Sequence, residues 1–457
     1  MFSNLVRSAH PGQQPWITRQ SYAHEIWTAL TFPVAVALVE GGVVGILARR
    51  AFGVSPAMFA VIMAAPSFAN VTSILWARMA RGRRKVRCIV AIQAATLVCI
   101  GLIAVLPTRG VGPLALTLLV IVIRCLLAGI ITLRSTVWRM NYPRPVRAQV
   151  TGKLALVASL VVAVVPLVGY AVMDTNPEAF RVIYPVGVLV AMIGVIAFSR
   201  VRIRGERDLL RYETRAAVRP QPHGTMAPIY EYDPEAVSHT FWSVLRHDHL
   251  FRQYQICQFL LGSSNMMAQT VLIFLVAELT TDLQRGYVVA ISITTMIPLL
   301  LGTLTLPLWA RYLDRTHIVP FRVVHSLFFM ADHVASWVGG VTGLLWVLAL
   351  GRVFQGAGQG GAILAWQLGH NDFADRHMVA LYMGIHVTLT GVRGAIAPFL
   401  GMLLFTGWEP WELPWAQVRG PGVAGMGAHV FLVSLVVASG SWVGFVLLSR
   451  RIARGGT

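Results

Sequence analysis

Within stretches that are otherwise almost wholly apolar, a few side chains able to bind or exchange charge recur at helical spacing. Arg352, Gln355 and Gln359 stand at i, i+3 and i+7, hence on one face of a helix. Tyr382, His386, Thr390 and Arg393 are spaced in the same way. Glu40 and Arg124 are single charges in apolar surroundings, and Asn265 with Gln269 forms an i, i+4 amide pair. An ionisable group in hydrocarbon costs about 3 kcal/mol on insertion scales, so it faces a cavity or a partner. Three kinds of chemistry are open to such groups: recognition of a polar solute, exchange of a proton, or pairing that only pins helices. Glu40 is the one acidic residue well inside the early apolar stretches, and it reads either as a proton-exchanging carboxylate or as half of a permanent pair with an arginine. Gly41 and Gly42 follow it and would let a helix or a solute come close. A further stripe, His325, Asp332 and Ser336, reads as structural pairing.

Several other patterns carry no chemistry. Gly356, Gly358 and Gly361 fit G-x-G-x-x-G but follow no strand, so they read as positions of close helix approach rather than a dinucleotide site. There is no G-x-x-x-x-G-K-[ST], which removes an ATP motor from this chain, and neither H-E-x-x-H nor G-x-S-x-G occurs. His239, His247, Asp248 and His249 lie in a basic linker and read as solvated, so no metal and no cofactor is expected. Cys88, Cys99, Cys125 and Cys257 sit in or beside apolar stretches without a C-x-x-C pair and read as packing residues.

The elements that must carry these side chains are membrane helices. Hydrophobic residues make up 56% of the 457 and charged residues only 12%, against about 25% charged in a soluble domain. Runs of the ~20 apolar residues needed to span a bilayer recur twelve times. They lie near 26–48, 56–77, 87–106, 112–133, 151–173, 182–199, 253–277, 286–308, 321–339, 343–367, 379–405 and 428–449. All are predicted to be helices, because a lipid-exposed open strand leaves backbone polar groups unpaired. The first 25 residues lack a cleavable signal, so the first helix is expected to act as the membrane signal.

The formal charge of +19 is distributed as in a membrane protein rather than a nucleic-acid binder. Basic residues crowd segments that alternate onto one side: Arg7 and Arg19, Arg81 to Lys85, Arg139 to Arg147, the 200–252 linker, and Arg450, Arg451 and Arg454. The other side holds Arg49, Arg50, Arg109, Arg181, Arg285 and Arg419, matched by Asp174, Glu178, Glu278, Asp282, Glu409 and Glu412. This positive-inside bias places both termini and the linker in the cytoplasm, with Arg49 and Arg50 dissenting locally. The linker loses its hydropathy through Arg202, Arg204, Arg207, Pro220, Pro222 and Pro228, then an acidic patch at Glu231, Asp233 and Glu235. An amphipathic helix is predicted near 241–251. The organisation is a segment 1–25, a six-helix bundle 26–199, a linker 200–252, a second bundle 253–449 and a tail 450–457.

An internal repeat joins the bundles. Leu75-Trp76-Ala77-Arg78 recurs as Leu308-Trp309-Ala310-Arg311. Arg124 and Trp138 recur as Arg352 and Trp366, and Pro166-Leu167-Val168-Gly169 as Pro398-Phe399-Leu400-Gly401. With these anchors the whole chain resembles the major facilitator superfamily (MFS) of transporters. Asp314-Arg315 after Leu308 is similar to that family's gating signature, with Arg311 beside it; the first copy keeps Gly82-Arg83-Arg84 but has Met79 in place of the acid. Arg352-Val353-Phe354-Gln355-Gly356 matches the R-x-x-Q-G element.

The resemblance implies an all-α integral membrane fold of 12 transmembrane helices in two pseudo-symmetric six-helix bundles. It also implies that helices 1, 4, 7, 10 and 11 line a central cavity, with helix 9 peripheral. That would make Arg124, Asn265, Gln269, Arg352, Gln355, Gln359, His386 and Arg393 substrate-binding, Glu40 proton-coupling, and Arg83, Arg84, Arg311, Asp314 and Arg315 gating. Gly394, Pro398 and Gly401 are similar to an antiporter element, which leans toward export. The expected activity is secondary transport of a small, anionic or zwitterionic solute by alternating access, coupled to protons, by a monomer in a bacterial-type inner membrane. It is not an enzyme. Translocation of a lipid or amphiphile is the alternative. The tryptophans at 408, 411 and 415 read as an interfacial belt or an outer lid, and Asn141-Tyr142-Pro143 and Gly369-His370-Asn371-Asp372 as helix caps.

Overall fold

A computed structural model describes residues 10–218, 241–374, 379–409, 411–413 and 418–454. Pro220, Pro222, Pro228, Glu231, Asp233 and Glu235 of the linker, His239 and Trp415 fall outside the described residues. The first position is two helices, α1 (Trp16–Ala37) and α2 (Gly41–Arg50), and the second is α3 (Pro56–Val71) with α4 (Ser73–Met79). Then come α5 (Lys85–Leu102), α6 (Gly112–Asn141), α7 (Arg144–Met173) and α8 (Phe180–Ser199), and the linker helices α9 (Glu206–Val218) and α10 (Phe241–His247). The second set is α11 (His249–Leu279), α12 (Gly286–Ile291) continuing through a π turn into α13 (Ile297–Leu313), α14 (Ile318–Thr342), α15 (Leu345–Leu368), α16 (Val379–Thr406) and α17 (Val430–Ala453). Strands β1 (Gly407–Trp408) and β4 (Val423–Ala424) pair antiparallel, as do β2 (Trp411–Leu413) and β3 (Val418–Gly420), between α16 and α17.

Among the described residues ten helical stretches are long and apolar enough to cross a membrane. The other two of the twelve windows are α3, which has 16 residues, and α15, whose apolar run is interrupted by Arg352, Gln355 and Gln359. Helix α1 begins at Trp16, ten residues before the apolar window. Its first turns are amphipathic, with Thr18, Tyr22 and Glu25 buried on one face.

By contact the chain forms two compact units. The first comprises Met1–Val54, Phe68–His223 and Leu283–Ile291; the second comprises Ser55–Ser67, Gly224–Asp282 and Ser292–Thr457. Within the first unit Asp174 caps α12: its two oxygens accept from Tyr287 N (2.8 Å) and Val288 N (3.1 Å), and Arg50 stacks 3.9 Å from the Tyr287 ring centroid. Within the second, Phe59 of α3 packs edge-on against Phe274 of α11, and a Cβ on Gly394 would collide with Ser67. The glycine of the antiporter-like element thus serves close packing here, as does Gly401, whose Cβ would lie 2.8 Å from Met267 O.

The repeat is visible as one interaction made twice. Trp76 Nε1 donates to Cys125 O (2.8 Å) and its ring covers Gly129, where a Cβ would lie 2.7 Å from it. Trp309 Nε1 donates to Ala357 O (2.6 Å) and covers Gly361, where a Cβ would lie 2.9 Å from the ring. This register pairs Gly129 with Gly361, so Arg124 and Arg352 stand one helical turn apart rather than at equivalent positions.

The first apolar window, 26–48, is not one continuous helix but is interrupted between α1 and α2. Glu40 is the N-cap of α2, and the break at Leu38–Glu40 frees carbonyls that other helices satisfy. Tyr184 donates to Leu38 O (2.8 Å) and Arg124 Nη2 to Val39 O (2.6 Å); Tyr170 donates to Val43 O inside α2 (2.7 Å). Pro33 and the Gly41-Gly42 pair weaken the helix at this point.

Candidate functional site

The second unit encloses a polar cavity of about 410 Å³. Six of the eight expected binding residues line it: Asn265 and Gln269 from α11, Arg352, Gln355 and Gln359 from α15, and Arg393 from α16. The helical spacing of α15 turns its three polar residues to this side, while Gly356 and Gly360 on the adjoining flank bring the helix against α13; a Cβ there would lie 2.7 Å from Pro298 Cα and 2.6 Å from Gly302 O.

Helix α14 also reaches the cavity, which corrects its expected peripheral place. Arg322, Phe329 and Asp332 line the wall. Arg352 pairs through Nη2 with both oxygens of Asp332, to which Ser336 also donates (3.3 Å). Both charged residues are 2% exposed. The residues missed were Arg322, Gln258 and Asp332. A signal for the arginine existed, since Arg322, His325, Asp332 and Ser336 follow one helical face.

Three guanidinium groups therefore face a single carboxylate. Arg393 Nη1 donates to Gln258 O (2.6 Å), and Arg322 Nη1 lies 3.4 Å from His325 Nδ1. Buried polar groups are normally hydrogen-bonded. Here Arg322 Nε and Nη2, Arg352 Nε and Arg393 Nε have no partner among the described residues, nor do Gln258 Oε1, Asn265 Oδ1 and Gln355 Oε1. These atoms leave hydrogen-bonding capacity for a guest, with an excess of positive charge.

Two expected residues are elsewhere. His386 is not in the cavity wall; it is buried beside Trp366, a lining residue, with ring centroids 6.0 Å apart, and its Nδ1 is 3.3 Å from Gln255 Oε1. Arg124 belongs to the first unit and pairs with Glu40 (3.2 Å). The Glu40 side chain keeps 43% of its surface exposed, whereas that of Arg124 keeps 10%.

The first unit also holds a buried carboxylate that the sequence reading assigned to the N-terminal segment. Glu25, fully buried, accepts from Arg134 Nη2 (3.0 Å), Trp138 Nε1 (2.7 Å) and Tyr142 Oη (2.7 Å). Burial, and then the Glu25 charge, push the Tyr142 hydroxyl well above its ordinary value, so it stays a donor.

At the helix ends, Arg83, Arg84, Arg311, Asp314 and Arg315 are exposed. Lys85 is buried and held by Glu213 of α9 (2.6 Å), which also accepts from Gly82 N (2.7 Å). A linker carboxylate thus serves the loop whose own acid is replaced by Met79. In the matching loop region of the second half, Asp372 accepts from Ile318 N (2.7 Å) and caps α14; in the first half, Asn141 binds the backbone of Arg202 and Arg204. Burial lowers the His370 imidazole below its usual range.

The sequence profile described as Major Facilitator Superfamily matches residues 31–332. A search of curated proteins finds no match. Solved structures share the fold at low identity. The nucleoside transporter NupG aligns with TM-score 0.63 and 13% identity over 96% of this chain and 99% of that one. A D-xylose-proton symporter aligns with TM-score 0.63 and 13% identity over 92% and 96%. The xylose transporter XylE from E. coli aligns with TM-score 0.57 and 12% identity over 94% and 96%. A profile match over more than half of the length, on a helical fold that these transporters share, makes the chain a member of the Major Facilitator Superfamily.

Proposed function

We propose that this multi-pass membrane protein is a secondary transporter that moves a small anionic or zwitterionic solute, holding the solute's acidic group in the cavity of the second unit. The observation that carries this reading is the set of three buried arginines against one aspartate, each arginine with a donor left unpartnered. A planar guanidinium fork matches a carboxylate or phosphate in geometry as well as charge. Amides of Asn265, Gln269 and Gln359 stand in the same wall to read the remainder of the solute.

The halves 26–199 and 253–449 are proposed to alternate access to the site, with Asp314 and Arg315 steadying the closed state, Arg83, Arg84 and Arg311 assisting, and both termini in the cytoplasm of a bacterial-type cell. Glu40, paired with Arg124 yet partly exposed, is the proposed proton carrier, and export is the favoured direction. The test is a thermal-shift and liposome-uptake screen of purified protein with carboxylates, phosphates and amino acids beside neutral sugars and nucleosides. Acidic or zwitterionic solutes are expected to stabilise the protein and be transported. Stabilisation by neutral solutes alone would overturn the reading.

A further inference from the structure

The arginines at the ends of the last helix in each half are arranged in a way that helix capping does not require. In the second half, Arg450, Arg451 and Arg454 border a groove of about 710 Å³ whose opposite wall is Gln253, Ile256 and Cys257 of α11. Arg450 and Arg454 are four residues apart and share a helix face. Ser441 donates to Cys257 O (2.6 Å), and Gly444 lets the helices touch, since a Cβ there would lie 2.5 Å from Cys257 Sγ. Toward the apolar side the groove runs out between Ile256 and Leu447, which are 54% and 58% exposed. Among the described residues none of the three arginines is within ion-pair distance of a carboxylate.

The first half repeats the arrangement. A smaller notch of about 90 Å³ is bordered by Gln20 and His24 of α1 and by Arg200, Arg202 and Arg204 after α8. Gln253 stands 233 positions after Gln20, the offset that relates Trp76 to Trp309. Ser199-Arg200 closes α8, whereas Ser449-Arg450 lies within the last turn of α17, which runs to Ala453; each pair has a further arginine four residues on, Arg204 and Arg454. The same side chains therefore come together at the same end of each half, between its first and last helices.

We propose that each groove binds the phosphate of an anionic phospholipid, tightly in the second half and weakly in the first. The arginines supply forked donors for the phosphate, the glutamine supplies an amide for the headgroup, and the exposed Ile256 and Leu447 continue the site along an acyl chain. That apolar continuation selects a lipid over free phosphate. The smaller notch of the first half takes the phosphate alone, which makes it the weaker site.

Native mass spectrometry of the full chain, titrated with phosphatidylglycerol or phosphatidylcholine of equal chain length, tests this. The unaltered protein is expected to retain two phosphatidylglycerols at separate affinities and no phosphatidylcholine. R450Q/R454Q should weaken the tight adduct about thirtyfold, given the attraction of roughly two surface arginines. R200Q/R204Q should remove only the weak one. Equal retention of both lipids by the unaltered protein, a measurement that needs no variant, overturns the proposal. So does unchanged binding in both variants, or full displacement of the lipid by an equal concentration of inorganic phosphate.

Discussion

Arg352 and Asp332 are bound so closely that altering one alone strands a buried charge on the other. Arg352→Gln should therefore cost about 3–5 kcal/mol, and the double substitution with Asp332→Asn should recover most of it. Thermal unfolding in detergent measures the cycle; additive losses would show that the pair is not coupled. Arg393 has no carboxylate partner among the described residues, so Arg393→Gln should fold and fail to transport; transport at the normal rate would remove it from the site. Glu40→Gln should lose uptake driven by a pH gradient yet keep exchange between equal pools, and retention of pH-driven uptake would end the coupling role. The polar face of α15 was legible because period 3.6 is written in the residues themselves. Asp332 was visible as part of a stripe, but spacing along one helix does not say which neighbour it faces, and so its partner and Arg322 escaped. Glu25 was hidden by its polar neighbours Arg19, Gln20 and His24, which ended the apolar run before the helix itself ends.

At the scale of elements, the tryptophan clasp made twice gives a matched pair of experiments. Ala at Gly129 or at Gly361 would push a methyl into an indole ring, and overpacking of this kind costs about 1–3 kcal/mol. Both substitutions should destabilise; Trp76→Phe should relieve Gly129→Ala at the cost of one hydrogen bond, whereas Trp309→Phe should relieve Gly361→Ala only in part, because His325 also stands 2.7 Å from the added Cβ. A stable Gly361→Ala variant would contradict the geometry. The Leu-Trp-Ala-Arg repeat was legible because a run of identical residues in the same order needs no structure to be seen. The glycines that receive the rings were not, since glycine is frequent throughout the chain, and their absence from the alignment allowed Arg124 to be set against Arg352 one turn out of register. The break in the first helix was likewise written only as Gly41-Gly42 after an unremarkable apolar run. What makes it tolerable is the donors of Tyr184 and Arg124, which come from elsewhere in the sequence.

At the scale of the whole molecule, the asymmetry of arginine along the chain carries a sidedness that helix geometry does not. A cysteine placed at position 225, outside the described residues, should react with an impermeant reagent only after the cells are opened; labelling of intact cells would reverse the orientation. The fall in hydropathy near 200 marks the start of the linker, but nothing in it says that a residue beyond that point makes contacts with the loops before it. Glu213 lies beyond the last helix of that half and yet supplies the carboxylate for Lys85, which is only 4% exposed, and for Gly82 N. Anyone dividing the gene to express the halves as separate fragments would therefore misplace the cut by trusting hydropathy. A fragment ending at 200 leaves an ammonium group walled in without its counter-charge, whereas one ending at 218 carries its own. The longer fragment should accumulate in membranes to a higher level, and Glu213→Gln should bring it down toward the shorter one.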